Sequence, residues 1–355
     1  MMDAITRSFF YAGGRYVTDD TGKQLMVGQM YVEVFTPAEI TQRYPLVMIH
    51  GSAQTATNWL RTPDGRIGWA EYFARQGYAV HVVDQPARGR SAWHAGFNGE
   101  LGSIPVAATE RYFTATAELG EWPQARRHTQ WPGTGRQGDP VFDAFYASQV
   151  DYLVDSVETE HLFQAAGSAL LDTIGPAILI THSQSGPLGW LLADARPQLV
   201  KAIVAVEPQG PPVKNMSLQK ALKNQTQDTS GQPPRVGGIT DIPLAYDPPL
   251  AEGQALVFVQ QDPVNSAERV PCWLQQPPAR QLLNLAHVPV LIVTGEASFH
   301  ALYDHGTYEY LIQAGVPCTH WRLEDFGLYG NGHMLMLERN HLEIAELLSR
   351  WIAEI

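Results

Sequence analysis

A serine at a sharp turn is the first feature of this chain that could perform chemistry. The apolar run Ala177-Ile178-Leu179-Ile180 ends at Thr181-His182, Ser183 follows, and a helical pattern resumes at Pro187 after small residues. This order predicts a buried strand, a tight turn with the serine at its apex, and the start of a helix. A hydroxyl there points into open space beside the N–H groups of the helix start. We therefore predict that Ser183 is a nucleophile, the alternative being an ordinary strand-ending turn.

A serine hydroxyl becomes reactive when a base removes its proton and an acid orients that base. The chain has 12 histidines, so their presence alone indicates nothing. His333 follows the last predicted strand, in the glycine-rich loop Gly330-Asn331-Gly332. A loop that returns there brings an imidazole over the serine turn, and we predict His333 as the base. His300, His305 and His320 are rivals, of which His320 falls inside a predicted strand.

Four carboxylates could orient the base. Glu207 immediately follows the predicted strand 202–206, and Glu296 follows the next strand along. Carboxylates at these ends of parallel strands emerge at the same sheet edge as the serine. Asp304 and Asp325 are further options, and position alone does not decide among the four.

Acyl transfer also requires N–H donors for the negative oxygen of the transition state. His50-Gly51-Ser52 follows directly on the apolar run Leu46-Val47-Met48-Ile49, and this small-residue turn can aim the Ser52 N–H at the serine. The N–H of Gln184, the residue after the nucleophile, is the second candidate donor. We predict an oxyanion hole formed by the backbone of Ser52 and Gln184.

Apolar runs alternate with helical patterns along most of the chain. After an antiparallel entry over about the first 35 residues, strands are predicted at 46–49, 78–83, 177–180, 202–206, 288–293 and 319–323. Helices are predicted at 70–75, 187–195 and 341–351, with one long helix over about 143–171 and a possible break near Gly167. Strands that are apolar on both faces and alternate with helices predict an α/β fold with a mostly parallel, doubly covered sheet.

Two long stretches interrupt this alternation. Residues 86–142 are rich in Gly, Pro and aromatic side chains, and residues 208–286 hold several Pro-Pro pairs and the polar run 223–227. Both begin at the carboxyl end of a predicted strand, where open α/β sheets bind their ligands, and loops of this length usually serve binding. We expect a single domain over residues 1–355 with a cap made from both stretches. Flexible surface insertions are the alternative.

With these residues in place, the chain resembles the α/β-hydrolase superfamily over nearly its full length. The segment Thr181-His182-Ser183-Gln184-Ser185 is similar to the family's G-x-S-x-G nucleophile turn, with Thr181 and Ser185 in place of glycines. The segment Asp84-Gln85-Pro86-Ala87-Arg88-Gly89-Arg90-Ser91 resembles the family's D-x-x-x-R-G-x-S turn, which usually shapes the pocket floor. The resemblance implies the α/β-hydrolase fold: a mostly parallel, eight-stranded sheet with helices on both faces.

Several segments look more narrowly like a small bacterial and fungal branch of serine esterases. They are Ser8-Phe9-Phe10, Gly13-Gly14-Arg15-Tyr16, Trp59, Thr62-Pro63-Asp64-Gly65-Arg66 and Gly68-Trp69. In that branch the acid is a glutamate after the sixth strand of the sheet, which implies Glu207. Most of the wider family has an aspartate one strand later, in a G-x-x-D pattern, where this chain has Ser298. The resemblance favours Ser183, His333 and Glu207 as the triad, with Glu296 as the alternative acid.

The sequence thus predicts a serine hydrolase that cleaves a carboxylic ester through an acyl-enzyme intermediate. The same residues would serve a lactone or amide hydrolase, or acyl transfer to an alcohol or amine. A catalytically inactive relative that only binds ligands is the alternative from another class, although every triad position can be filled. Aromatic side chains in the two insertions predict an apolar or aromatic ester or lactone as the substrate.

Composition limits the partners and the compartment. The net charge of −12 argues against nucleic acid or an anionic membrane, since either would require a basic patch, and we interpret Arg126-Arg127-His128 as a solvated loop. We expect no cofactor and no metal, and Cys272 and Cys318 are interpreted as unpaired thiols, with one disulfide as the alternative. The N-terminus lacks a signal-peptide pattern, so a cytoplasmic location is predicted, with export of a precursor left open. A homodimer is compatible with the sequence.

Overall fold

A central β-sheet organises the chain, of which the computed structural model describes residues 4–214, 233–263 and 267–355. The strands are β1 (Thr6–Thr18), β2 (Gln24–Thr36), β3 (Leu46–Ile49), β4 (Val80–Asp84), β5 (Leu101–Gly102), β6 (Tyr152–Leu153), β7 (Ala177–His182), β8 (Val200–Val206), β9 (Phe258–Gln261), β10 (Cys272–Gln275), β11 (Val290–Thr294) and β12 (Cys318–Arg322). Eight of them form one sheet in the order β1-β2-β4-β3-β7-β8-β11-β12. The predicted eight-stranded sheet is confirmed.

In this eight-stranded sheet β2 runs in the direction opposite to that of the other seven strands. β1, β2 and β4 pair antiparallel, and each neighbouring pair from β4 to β12 is parallel. The central parallel strands are short apolar runs that are buried on both faces. In β3, Val47 and Ile49 belong to the core on one face, whereas Leu46 and Met48 belong to the core on the other, as the two-residue period of a strand requires.

Helices cover both faces of the sheet. They are α1 (Thr57–Leu60), α2 (Trp69–Arg75), α3 (Val106–Thr109), α4 (Thr116–Leu119), α5 (Pro140–Ala147), α6 (Ser156–Ile174), α7 (Gly186–Ala195), α8 (Asp304–Gln313) and α9 (His341–Ile352). Side chains of α6, α7 and α8 enter the core on one face, and those of α2 and α9 enter the core on the other. The loops that follow the parallel strands lie together at one edge of the sheet, and this edge carries the candidate site.

The single long helix expected from about residue 143 is wrong, because the structure has two helices, α5 and α6, with β6 between them. Asp155 accepts hydrogen bonds from the N–H groups of Val157 and Glu158 and so caps the start of α6. Gly167 does not break α6. A Cβ atom there would lie 2.8 Å from Leu192 Cδ2, so the glycine permits close packing of α6 against α7.

The two long stretches contain regular structure. The first, 86–142, holds β5, α3, α4 and the start of α5, with a π-helical turn at Glu110–Thr114 and a 3-10 turn at Pro123–Arg127. The described part of the second, 208–286, holds the antiparallel pair β9–β10. The polar run 223–227 lies outside the described residues.

Within the residues that the structure describes, no helix has both the length and the apolar character needed to cross a membrane. Cys272 and Cys318 are unpaired thiols, in agreement with the favoured interpretation.

The β1–β2 hairpin packs closely on α6 at Gly13, and this contact contributes to stability. Gly13 has a φ of +66°, and a Cβ atom there would lie 2.8 Å from Ala166 Cα. Gly13→Ala should lower the free energy of unfolding by about 1–2 kcal/mol for the left-handed backbone and about 1–3 kcal/mol for the overpacking. Gly22→Ala is the matched control, because Gly22 has a φ of +84° but no atom within 4 Å of the added Cβ.

Urea denaturation of the two variants measures the difference. We expect Gly22→Ala to show the backbone cost alone, so that Gly13→Ala has the lower midpoint. Equal losses in the two variants would contradict the close approach of the hairpin to α6.

Candidate active site

Ser183 lies at the apex of a strand–turn–helix connection. It directly follows β7, and the 3-10 turn Ser183–Ser185 leads into α7. Its φ is 55°, in the left-handed region that costs a non-glycine residue about 1–2 kcal/mol. Strain of this kind persists where the surrounding structure enforces it, and it is concentrated at functional sites. The serine is half-buried and follows the carboxyl end of β7.

The two positions that lack the usual glycines are explained by their neighbours. Thr181 fits because Gly189 of α7 faces it, and a Cβ atom on that glycine would lie 3.0 Å from Thr181 Cγ2. Ser185 Oγ accepts a hydrogen bond from the His182 N–H at 2.8 Å and donates one to the Ile49 carbonyl at 2.8 Å. The Ser185 hydroxyl therefore ties the turn to β3, which a glycine could not do.

His333 lies in the loop before α9, and the structure brings its imidazole to the serine. His333 Nε2 is 2.9 Å from Ser183 Oγ, within hydrogen-bonding distance. The imidazole is buried, with 2% of its side chain exposed. The base and the nucleophile predicted from sequence are therefore in direct contact.

A buried carboxylate holds the loop that carries this histidine. Glu338 accepts hydrogen bonds from the Gly332 N–H at 2.8 Å and from Asn331 Nδ2 at 2.7 Å. It also lies 2.7 Å from Nε2 of His128, which belongs to the first insertion. The expectation of a solvated loop at Arg126-Arg127-His128 is therefore wrong for His128, which is buried in this pair.

Glu207 contacts the other nitrogen of the imidazole. Its Oε2 lies 2.5 Å from His333 Nδ1 and accepts a hydrogen bond from Ser298 Oγ at 2.7 Å, while Oε1 accepts one from the Gly295 N–H at 2.8 Å. The residue is fully buried and has a φ of 46°, so it turns sharply out of β8. Three donors converge on this carboxylate, and the Ser183–His333–Glu207 series is continuous.

The other carboxylates occupy different places. Glu296 accepts a hydrogen bond from the Gly330 N–H at 2.9 Å and lies 3.8 Å from Arg127 Nε. Asp325 is exposed on the 3-10 turn after β12. Ser298 stands where the G-x-x-D pattern would place an aspartate, and its hydroxyl donates to Glu207 instead.

Of the rival histidines, His300 is the one beside the triad. Its ring stacks on His333 with centroids 4.7 Å apart and 8° between the ring planes, and its Nδ1 lies 2.9 Å from Asp304 Oδ1. His305 and His320 belong to α8 and β12. The second His–Asp pair was visible in the sequence as two separate candidates, but nothing in their spacing predicted the stacking.

Burial sets the protonation of the triad. It lowers the pKa of His333 well below the usual histidine value, and the neighbouring His182 and His300 lower it further. Burial also raises the pKa of Glu207, as does the nearby Asp304, while hydrogen bonds from a backbone N–H and a hydroxyl act in the opposite direction. A neutral imidazole with one nitrogen on a serine hydroxyl is positioned to accept its proton.

One group of side chains in the described part of the chain brings metal-ligand atoms together. Donor atoms of Glu207, His300 and His333 lie within 4.8 Å of one another. An imidazole binds a metal through a lone pair in its own ring plane, and these two rings are parallel and stacked. A single ion cannot lie in both planes, so the arrangement does not fit a metal centre.

The predicted oxyanion donors lie on two loops that meet at the nucleophile. A Cβ atom on Gly51, the residue before Ser52, would lie 3.0 Å from Ser183 Cβ, so this turn abuts the serine. The Gln184 N–H belongs to the first turn of the helical segment, where backbone N–H groups have no partner within the helix. Both residues are half-buried at the serine.

Gln85 connects these two loops and was missed as a site residue. Its Nε2 donates to the His50 carbonyl at 2.7 Å and to Gln184 Oε1 at 3.1 Å. The signal that could have indicated it is its place in the D-x-x-x-R-G-x-S segment directly after β4.

Aromatic side chains line the approach to His333. The ring of Phe113, from the first insertion, stacks on the imidazole at 5.3 Å, and the ring of Phe299 lies 4.9 Å from it. Trp122 Nε1, also in the first insertion, donates to the Ala297 carbonyl at 2.9 Å. The first insertion is therefore packed against the loops that carry the triad.

This fold and site define an α/β hydrolase. The model of the alpha/beta hydrolase family matches residues 46–347, and the chain belongs to this family. The probable secreted lipase phiG of a fungal species (strain ATCC 74256) is 45% identical over 345 residues, which cover 97% of this chain and 89% of the fungal protein. A solved structure described as a novel bacterial esterase has the same fold, with a TM-score of 0.64, 23% identity, and coverage of 99% of this chain and 96% of its own.

The comparisons correct one prediction. The cytoplasmic location is wrong, because the 45% identical fungal relative is named as a secreted protein. The prediction relied on the absence of a signal-peptide pattern at the start of the sequence. That absence does not determine where the protein is located.

The lowered pKa of His333 predicts the pH dependence of hydrolysis. A base whose pKa lies well below the usual histidine value of about 6.5 stays neutral as the pH falls through that value. We expect kcat/KM for a simple alkyl ester, followed by pH-stat titration, to stay constant down to about pH 6.5 and to fall only below it. An acid limb with its midpoint at or above about 6.5 would contradict the burial effect.

Proposed function

We propose that the protein is a serine carboxylic-ester hydrolase that works through an acyl-enzyme intermediate. The observation that carries the proposal is the series of hydrogen-bonding distances from Ser183 Oγ through His333 to Glu207, 2.9 Å and 2.5 Å long. Membership of the α/β-hydrolase family supports hydrolysis, and the lipase name of the fungal relative supports an ester as the bond that is cleaved.

The first half-reaction forms the acyl-enzyme. Ser183 Oγ attacks the ester carbonyl carbon as its proton passes to His333 Nε2, and the carbonyl electron pair moves onto oxygen. The backbone N–H groups of Ser52 and Gln184 donate to this oxyanion. When the tetrahedral intermediate collapses, the carbon–oxygen bond to the alcohol breaks and His333 returns the proton to the leaving oxygen.

The second half-reaction uses water in place of the serine. His333 removes a proton from the water that attacks the acyl carbonyl, and it then protonates Ser183 Oγ as the acid product leaves. Throughout, Glu207 accepts the Nδ1–H of His333, which keeps the proton-accepting lone pair on Nε2 and stabilises the imidazolium.

The aromatic side chains beside His333 favour an apolar or aromatic ester as substrate. Phe113 and Phe299 contact the imidazole at which the leaving group departs, and both are half-buried, so each presents ring surface to the site. We infer that 86–142 acts as part of a cap, together with 208–286.

The name of the fungal relative also favours an exported protein.

Covalent labelling with a fluorophosphonate tests the proposal, since the probe reacts with serines that a base has activated. Wild type should acquire one label, and Ser183→Ala should acquire none. Ser349→Ala, on α9 and outside the triad, is the matched control and should label like wild type. A wild type that folds but does not label would overturn the enzyme proposal and favour a ligand-binding protein.

A further inference from the structure

Arg88 is a buried cation that the proposed mechanism does not use. Its side chain lies in the turn after β4 and is 4% exposed. Nη1 donates to the Gly51 carbonyl at 3.0 Å, and the guanidinium carbon lies 5.7 Å from the ring centre of Tyr152. Its Nε has no hydrogen-bond partner among the described residues.

The charge of Arg88 is not matched by an ion pair in the described part of the chain. Asp84, the acidic residue of the same turn, pairs with Arg90 at 2.8 Å and accepts the Ala56 N–H at 2.8 Å. Burying a guanidinium without a bound anion is costly. Arg88 contacts Gly51, and Gly51 abuts Ser183, so negative charge that forms on an oxygen at the serine would be compensated by this cation.

The contact of Arg88 with Gly51 acts on the peptide that carries a predicted oxyanion donor. The Gly51 carbonyl and the Ser52 N–H belong to the same peptide unit. This peptide is trans, so its carbonyl and N–H point in opposite directions. A donor that holds the carbonyl on one side therefore fixes the N–H on the other.

His50 reinforces the same carbonyl. Its Nε2 accepts the Gln85 N–H at 3.1 Å, so its proton resides on Nδ1, which donates to the Gly51 carbonyl at 2.9 Å. The imidazole is buried and stays neutral, because burial and the adjacent Arg88 lower its pKa to about 3. Two donors, one of them charged, thus converge on one carbonyl oxygen and polarise its peptide.

We propose that Arg88 is a positioning residue for the oxyanion hole. Arg88 orients and polarises the Ser52 N–H, and it supplies a positive charge that the oxyanion compensates. The inference rests on the proposed function, because it requires a tetrahedral intermediate on Ser183. The substrate carbonyl is neutral and the intermediate is an anion, so a fixed charge in a water-poor site favours the intermediate over the bound substrate.

A purely structural role for Arg88 would have different consequences. Loss of a residue that only holds the turn in place would weaken the binding of all ligands or lower stability. Loss of a residue that acts on the oxyanion weakens only ligands that develop negative charge on oxygen. A trifluoromethyl ketone forms such an adduct with an active-site serine, and the matching trifluoromethyl alcohol fills the same space without forming it.

The experiment compares the inhibition constants of 1,1,1-trifluoro-4-phenylbutan-2-one and its alcohol on three proteins. They are wild type, Arg88→Met and the control Arg90→Met, which removes a cation of the same turn that points to Glu33 and Asp84. For Arg88→Met we expect the affinity for the ketone to fall on the order of 10- to 100-fold, which is no more than the effect of deleting an oxyanion donor. The affinity for the alcohol should stay unchanged. Arg90→Met should lower the thermal midpoint without changing the ratio of the two affinities.

Two outcomes would overturn the inference about Arg88. They are an unchanged ketone affinity in Arg88→Met, and a parallel loss for the ketone and the alcohol. If Arg88→Met does not fold, Arg88→Gln replaces it, because glutamine keeps a donor for Gly51 and removes the charge. The same selective loss is expected.

Failure of the proposed function can be distinguished from failure of this inference. A wild type that neither binds the ketone nor accepts the fluorophosphonate label would overturn the hydrolase proposal, and the role of Arg88 with it. A wild type that does both, beside an Arg88→Met variant that binds the ketone equally well, would overturn the role of Arg88 alone.

Discussion

The parallel register of β7 with β8 is the constraint on which the site depends. His182 of β7 pairs with Val206 of β8, so Ser183 and Glu207, the next residues of each strand, leave the sheet at the same level. Both residues have positive φ values, 55° and 46°, so the segments after β7 and β8 both turn sharply toward the same space. A one-residue shift in this pairing would send the carboxylate to the opposite face.

Glu207 can serve as the acid of the proposed triad because the loop after β11 supports it. Val206 pairs with Val293 of β11, and the loop that follows supplies the Gly295 N–H and the Ser298 hydroxyl to Glu207. A carboxylate buried to this degree needs such donors to offset the loss of water. Ser298, where the family's G-x-x-D pattern would place an aspartate, therefore supports Glu207, and Glu296 holds the histidine loop through Gly330.

Elements with a strong local signal were predictable from the sequence, and contacts between distant segments were not. The apolar run Leu46–Ile49 is β3 with identical bounds, because a fully buried strand leaves a continuous apolar pattern. The start of α6 is marked by one capping aspartate, Asp155, inside a region of helical periodicity. The stacking of Phe113 on the histidine joins an insertion to a loop more than two hundred residues away, and no spacing in the sequence reports it.

We propose that Glu207, and not the carboxylate one strand later, orients the base. The direct measurement is the kcat of Glu207→Gln beside that of Glu296→Gln, for one alkyl ester at a fixed pH. A glutamine amide at position 207 can donate to Nδ1 and so place the imidazole proton on the wrong nitrogen, and kcat should fall by about 10⁴-fold, as tautomer loss does in serine triads. Glu296→Gln should retain kcat within about 10-fold, because it loses a loop contact and no part of the triad. The reverse pattern, with a large loss in Glu296→Gln and little in Glu207→Gln, would contradict the role of Glu207.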